Sequence, residues 1–330
     1  MFNNTSKLLF LLIMIISSMI SMSANSWLNA WMGLEINLLS FIPLMKNNKL
    51  MSSEASLKYF LTQALASSSF LLSMMLMMMN NFMTFKLMMM FSLMMKLGAA
   101  PFHMWFINVM EGLSWNNSMI LMTWQKLTPL ILLSNITNKL MIINIIMSTT
   151  IGAIGGLNQT SIRKLMAYSS INNLSWMLLA LLYSNLMMII YFMFYTFISI
   201  SLMTLFNMIK ISHLNQINMM FYNKFYKMFL MINIISLAGL PPFMGFFPKW
   251  MIIQSSIYNN QMTLILLNIM MSLITIHFYL RMCYSFLMIN NFEMKINNTT
   301  NFNNTYMYSL MLYSTMNLTG LLMISMYYNF

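Results

Sequence analysis

Aspartate is absent from this chain, and its acids are only four in 330 residues: Glu35, Glu54, Glu111 and Glu293. So few hard oxygen ligands argue against a site for an alkali cation. A single cysteine, Cys283, excludes an internal disulfide and a cysteine-ligated cluster. The three histidines, His103, His213 and His277, lie on different segments, and no helix carries the paired ligands of a transmembrane haem protein. No redox cofactor and no metal is expected on the chain itself. Charged residues make up 6% of the sequence, and no stretch has the length and polarity of a soluble domain. Any chemistry must therefore lie within a bilayer or at its faces.

What is present is apolar. Hydrophobic residues are 60% of the chain, mean hydropathy is +0.72, and apolar runs recur with short polar breaks. The fold class is an all-α polytopic membrane protein. The 48 methionines, with scarce Gly, Pro and Arg, suit an AT-rich genome whose code reads ATA as Met. Runs such as Met74 to Met79 read as lipid-facing filler rather than a metal site. The net charge of +12 implies orientation by lysines and attraction to anionic phospholipid, not binding of nucleic acid.

Eleven spans are expected: 8–24, 26–45, 54–79, 82–112, 117–135, 139–157, 161–183, 186–210, 225–257, 260–288 and 306–328. The first, preceded by Lys7, mimics a secretory signal peptide but reads as a retained span because further spans follow at once. Spans 82–112 and 225–257 are too long for one straight crossing. Each is interrupted, by Gly98-Ala99-Ala100-Pro101-Phe102 and by Gly239-Leu240-Pro241-Pro242-Phe243, so both are expected to be discontinuous helices. Being the fourth and ninth spans, they imply inverted five-helix repeats, 1–135 and 136–289, with a loop and an extra helix in 290–330. Matching broken helices in two halves point to a transport site.

The lysines support this count. Lys7, Lys46, Lys49, Lys58, Arg163, Lys164, Lys210, Lys224, Lys227 and Lys295 fall on the side of the N-terminus, against Lys86 and Lys139 opposite. That bias puts the N-terminus on the side of synthesis and the C-terminus, Phe330, on the other. Glu54 and Lys58 form an i, i+4 pair at the start of the third span.

Four charges remain near mid-span: Glu35, Lys96, Lys126 and Lys249. A lysine at the bilayer centre costs roughly 2.5 to 3.5 kcal/mol on insertion scales, so each is a functional candidate. Desolvation disfavours the charged form of either residue type, and an opposite charge nearby reverses this. Glu35 is expected to pair with Lys96, leaving Lys126 and Lys249 near water and able to gain and lose a proton. Arginine would stay charged; all three basic members are lysine. This is the profile of a proton relay. The plainer alternative, a Glu35–Lys96 tie between helices with snorkelling lysines, leaves Lys126 at mid-span unexplained. His103, just past the first break, could carry protons between lysines, and His277 could serve the second half. Arg281 reads either as a headgroup anchor or as a polar partner, and Glu111 lies at the membrane edge.

Trp31-Met32-Gly33-Leu34-Glu35-Ile36-Asn37, the run Lys96 to Trp105, Thr123-Trp124-Gln125-Lys126-Leu127-Thr128-Pro129, and Gly239 to Phe243 with Pro248-Lys249-Trp250 together resemble the antiporter-like membrane subunits of mitochondrial NADH:ubiquinone oxidoreductase, respiratory complex I. The resemblance covers essentially the whole chain, and eleven spans fit the animal form that lacks three spans of its bacterial relatives. It implies a proton-translocating core subunit of the mitochondrial inner membrane, with the N-terminus in the matrix. Its partners would be the other membrane-arm subunits and phospholipids, cardiolipin among them. NADH, FMN, iron-sulfur clusters and ubiquinone would be bound elsewhere in the complex. Glu35 would be the acid of a coupling pair with Lys96, Lys126 the bridging lysine and Lys249 the lysine of the second broken helix. The alternatives are a cation/proton secondary antiporter and a non-pumping structural subunit.

Overall fold

The computed structural model describes residues 5–47, 49–79, 83–214, 216, 224–287 and 311–320. Thirteen helices are defined among them: α1 (Thr5–Met22), α2 (Trp27–Met45), α3 (Leu50–Met79), α4 (Met83–Leu97), α5 (Met104–Gly112), α6 (Trp115–Met122), α7 (Trp124–Ser134), α8 (Met141–Gly156), α9 (Ile162–Tyr183), α10 (Asn185–Ile209), α11 (Lys224–Ala238), α12 (Phe246–Tyr258) and α13 (Met262–Leu287). Residues 311–320 are helical as well. Most of the expected eleventh span, with Glu293, Lys295 and Phe330, lies outside the described residues. The β-pairing among the described residues is an isolated bridge between Ser161 and His213.

Helix is the form in which apolar sequence satisfies its own backbone away from water. The many serines do not contradict this, because their hydroxyls donate back one turn, as Ser17 to Met14 O (2.9 Å), Ser73 to Phe70 O (2.7 Å) and Ser201 to Ile198 O (2.7 Å). Helices α1, α2, α3, α9, α10 and most of α13 are each long and apolar enough to cross a membrane.

Both expected breaks are present. Helix α4 stops at Leu97, and Gly98 follows at φ +69°, with the Gly98 N–H on Met95 O and the Ala99 N–H on Met94 O. That is the glycine-terminated Schellman ending. Helix α11 stops at Ala238 with Gly239 at φ +82°. Only glycine takes these angles without a Cβ penalty. Pro101 and Pro242 follow in cis. A third interruption was not expected: span 117–135 is two helices, α6 and α7, parted at Thr123. The Thr123 hydroxyl bonds Met119 O at 2.7 Å. Pro129, without an N–H, cannot bond the Gln125 carbonyl. No glycine marks the place, so the run reads as continuous.

The chain divides within α8 into two compact units, Met1–Ser148 and Thr149–Phe330. In the first, α1 packs along α2, α2 on α3, and α3 on both α4 and α5. The α1–α2 contact is close because Ser17, Ser18 and Ser21 of α1 are buried and Gly33 faces them; a Cβ on Gly33 would lie 2.8 Å from Ser21 Cβ. The N-terminal helix is thus an integral part of the packing. In the second unit α9, buried almost all round, packs on α10, α12 and α13, while α11 packs on α10 and α13.

Candidate functional site

In the first unit the α4 break and the α6–α7 break converge on one cavity. It is lined by Asn37, Tyr59, Gln63, Lys96, Gln125 and Lys126, with Phe106 and Thr128, and has room for about one water. Lys96 lies in the last turn of α4, so the carbonyl end of that helix favours its ammonium. Lys126 lies in the first turn of α7, the end that disfavours a cation. Its ammonium stands 4.9 Å from the centroid of Phe106, a residue of α5 beyond the first break. Lys96 is 7% exposed and Lys126 2%, which excludes snorkelling for both.

Neutral polar groups complete the cavity, and they carry no mark in the sequence that sets them apart as charges do. Gln125 Nε2 donates to Asn37 Oδ1 at 2.9 Å, Tyr59 OH to Gln125 Oε1 at 3.5 Å, and Gln63 Nε2 to Lys96 O at 3.3 Å. Trp105, past the break, donates Nε1 to Met95 O at 3.0 Å and so ties the two half-helices together. A signal for the amides was available: Gln125 adjoins Lys126, Asn37 lies two residues beyond Glu35, and an unpaired amide in hydrocarbon costs several kcal/mol.

Glu35 does not meet Lys96 directly. No ion pair joins them, although the carboxylate is close enough for its charge to act on the lysine. The reason is helical geometry. Leu34, Asn37 and Leu38 of α2 face the lysine cavity, whereas Trp31 and Glu35, one turn apart, face a separate and more open groove between α2 and α3. There Trp31 Nε1 donates to Ser67 O at 3.2 Å, and Glu35 Oε2 is buried with no protein hydrogen-bond partner.

In the second unit Lys249 occupies the first turn of α12 and reaches back across the break. Its Nζ donates to Ala238 O at 2.7 Å, the carbonyl of the last residue of α11. Gly239 makes room, since a Cβ there would lie 2.8 Å from Nζ. The Trp176 ring is 5.9 Å from the ammonium. At each glycine break, then, a buried lysine sits at the carbonyl end of the preceding half-helix, which is the arrangement that holds a proton or cation in discontinuous membrane helices.

The remaining candidates lie elsewhere. His103 is half-buried beside the break with Nδ1 3.1 Å from Pro101 O, and does not line the lysine cavity. His277 is on an exposed face of α13, and Glu111 is exposed near the end of α5. Arg281 is a polar partner: its two guanidinium nitrogens donate to Leu157 O and Gln159 O, both at 2.7 Å, just past the end of α8. Glu54 and Lys58 form the expected surface pair at 2.6 Å.

Residues 24–275 match the family described as NADH:quinone oxidoreductase/Mrp antiporter, TM. NADH-ubiquinone oxidoreductase chain 2 of Anopheles gambiae is 47% identical over 334 residues, covering 98% of each chain. The protein of that name from Aedes aegypti is 48% identical over 337 residues, again with 98% of each covered. Among solved structures, a chain of respiratory complex I from Thermus thermophilus with bound aureothin aligns with a TM-score of 0.83 at 21% identity, over 97% of this chain and 78% of its own. A chain of the Mrp complex from Dietzia sp. DQ12-45-1b aligns with a TM-score of 0.76 at 16% identity, over 83% of this chain and 59% of its own. At those identities the likeness is one of fold.

Proposed function

Because the chain belongs to the NADH:quinone oxidoreductase/Mrp antiporter transmembrane family, we propose that it is a proton-translocating, antiporter-like core subunit of complex I in the mitochondrial inner membrane. The observation that carries this reading is the pair of deeply buried lysines, Lys96 and Lys126, on one small cavity walled by amides and a phenol. Energy comes from NADH oxidation and ubiquinone reduction elsewhere in the complex, and this chain binds none of the redox groups. The two broken helices are the centres of inverted five-helix repeats within eleven crossings. The N-terminus and the lysine-rich loops face the matrix, against anionic phospholipid, and the other membrane-arm subunits are the protein partners.

In this reading Lys96 holds a proton at the carbonyl end of α4, and the charge on Glu35 sets how tightly. Two unit charges 4 Å apart at an effective dielectric of 20 interact by about 4 kcal/mol. Moving one charge across 100 mV needs about 2.3 kcal/mol, an amount of the same order as that interaction. Lys126 takes the proton through the water-sized space between the two lysines, and Lys249 serves the second unit. His103 lies at the rim of the first break, where it can exchange protons with that unit's surroundings.

The test is Lys126→Ala and Lys249→Ala in assembled complex reconstituted in vesicles. Each is expected to lower the protons moved per electron pair; electron transfer with undiminished pumping would contradict the relay and leave a structural role. Membership of a family described as NADH:quinone oxidoreductase/Mrp antiporter favours one other reading, exchange of an alkali cation for protons. With no Asp in the chain, purified protein alone in liposomes is expected to show no sodium- or potassium-driven proton exchange.

A further inference from the structure

The helix of residues 311–320 bears no charge, yet Ser314 and Asn317 on it are buried while Leu312, Met316 and Leu318 face outward. An asparagine in an apolar helix is costly unless it meets a partner, and with one it serves as glue between membrane helices. Asn317 touches the second break on both sides. Before the break, Asn317 Nδ2 donates to Oδ1 of Asn233, itself fully buried on α11. Beyond it, the Asn317 backbone carbonyl accepts the Met244 N–H at 3.1 Å, two residues ahead of α12. Gly320, nearly a turn on, lies against the same Met244, since a Cβ there would be 2.9 Å from Met244 Cγ. Tyr313, one turn earlier, meets the Phe197 ring of α10 edge-on with centroids 5.5 Å apart. The first break, by contrast, is tied from within by Trp105. The amide pair is not explained by stability. Asn233 Nδ2 and Asn317 Oδ1 are buried without a hydrogen-bond partner among the described residues, a cost that two apolar side chains of similar volume would avoid.

We propose that Asn317 is a positioning residue for Lys249, and that the 311–320 helix clamps the second break so that the lysine stays at the carbonyl end of α11. The bonds across this break differ in what they must withstand. Lys249 Nζ crosses it to Ala238 O at 2.7 Å. A proton carrier must release its proton and regain it, and a neutral amine holds a carbonyl less firmly than an ammonium does. The tie made by the carrier therefore weakens in the very step for which position matters. Neither amide nor backbone carbonyl titrates, so the Asn317 contacts hold α11 and α12 in register through the whole cycle. Gly245 makes that register exacting: its backbone lies so close to the end of α11 that a Cβ there would overlap the Ser236 carbonyl. A slip of the 244–246 segment carries Lys249, in the first turn of α12, away from Ala238.

The proposal rests on Lys249 as a proton carrier, and its test separates the two. Asn317→Ala removes the side-chain tie. The paired change Asn233→Leu with Asn317→Leu removes it while filling the space and leaving no amide unpaired. In assembled complex in vesicles, both are expected to lower the protons moved per electron pair to the value found for Lys249→Ala, and to lower it no further when combined with Lys249→Ala. A further fall in that background means that Asn317 acts elsewhere and overturns the clamp. If Lys249→Ala is deficient while both variants pump normally per assembled complex, the clamp is wrong and the lysine reading stands. Normal pumping by Lys249→Ala overturns both. Less assembled complex on a native gel with an unchanged ratio marks Asn317 as a packing residue and also overturns the clamp.

Discussion

Asn37 and Gln125 show how much of the site depends on neutral residues. Their 2.9 Å bond links α2 to α7 next to Lys126, and Asn37 is 3% exposed. Asn37→Ala leaves the half-buried Gln125 amide without that acceptor, a loss of about 1 kcal/mol. The expected result is a lower thermal midpoint for the solubilised complex, and an unchanged midpoint would show that the amide finds another partner. As site residues they are marked in the sequence only by adjoining Lys126 and lying two residues from Glu35. A charge in hydrocarbon announces itself by its cost, which is why Lys96, Lys126 and Lys249 stood out, whereas an amide or phenol is affordable if one partner exists, and sequence does not show the partner. Glu35 is legible as a mid-span acid, but the face of α2 it takes is not: Leu34, Asn37 and Leu38 line the lysine cavity, and Glu35 lines the groove toward α3.

At the scale of elements, the glycine breaks decide where the lysines sit. Gly239 combines a φ of +82° with a Cβ position 2.8 Å from Lys249 Nζ. Gly239→Ala therefore strains the α11 ending by about 1–3 kcal/mol and pushes Nζ off the Ala238 carbonyl. Its expected phenotype is that of Lys249→Ala, lost pumping in complex that still assembles; normal pumping would show that the carbonyl contact is dispensable. Gly33→Leu acts on packing alone. The α1–α2 approach through Ser17 and Ser21 has no space for the side chain, so less assembled complex on a native gel is expected, with a normal proton ratio in what remains. The two glycine-proline breaks were legible because only a few residue types end a helix in apolar sequence. The Thr123 break was not, since threonine within a helix is ordinary and only its bond to Met119 O and the nearby Pro129 give it away. That break matters: it puts Lys126 in a first turn, where the helix dipole works against its charge.

For the whole molecule, the claim is that two buried lysines in the first unit and one in the second take up and release protons as the complex turns over. Composition and the four ordered motifs made this class of function legible, because a chain so poor in acid, cysteine and soluble sequence leaves few chemistries open. Charge alone is not enough for the claim; the lysines must also lose it. Arginine keeps the charge and much of the length but stays protonated. The most direct measurement is therefore the number of protons moved per electron pair by assembled complex carrying Lys126→Arg, in vesicles. A ratio reduced to that of Lys126→Ala, with the complex assembled, is the expected result. A ratio equal to that of the unaltered complex would mean that Lys126 need only be positive, and would contradict its role as a proton carrier.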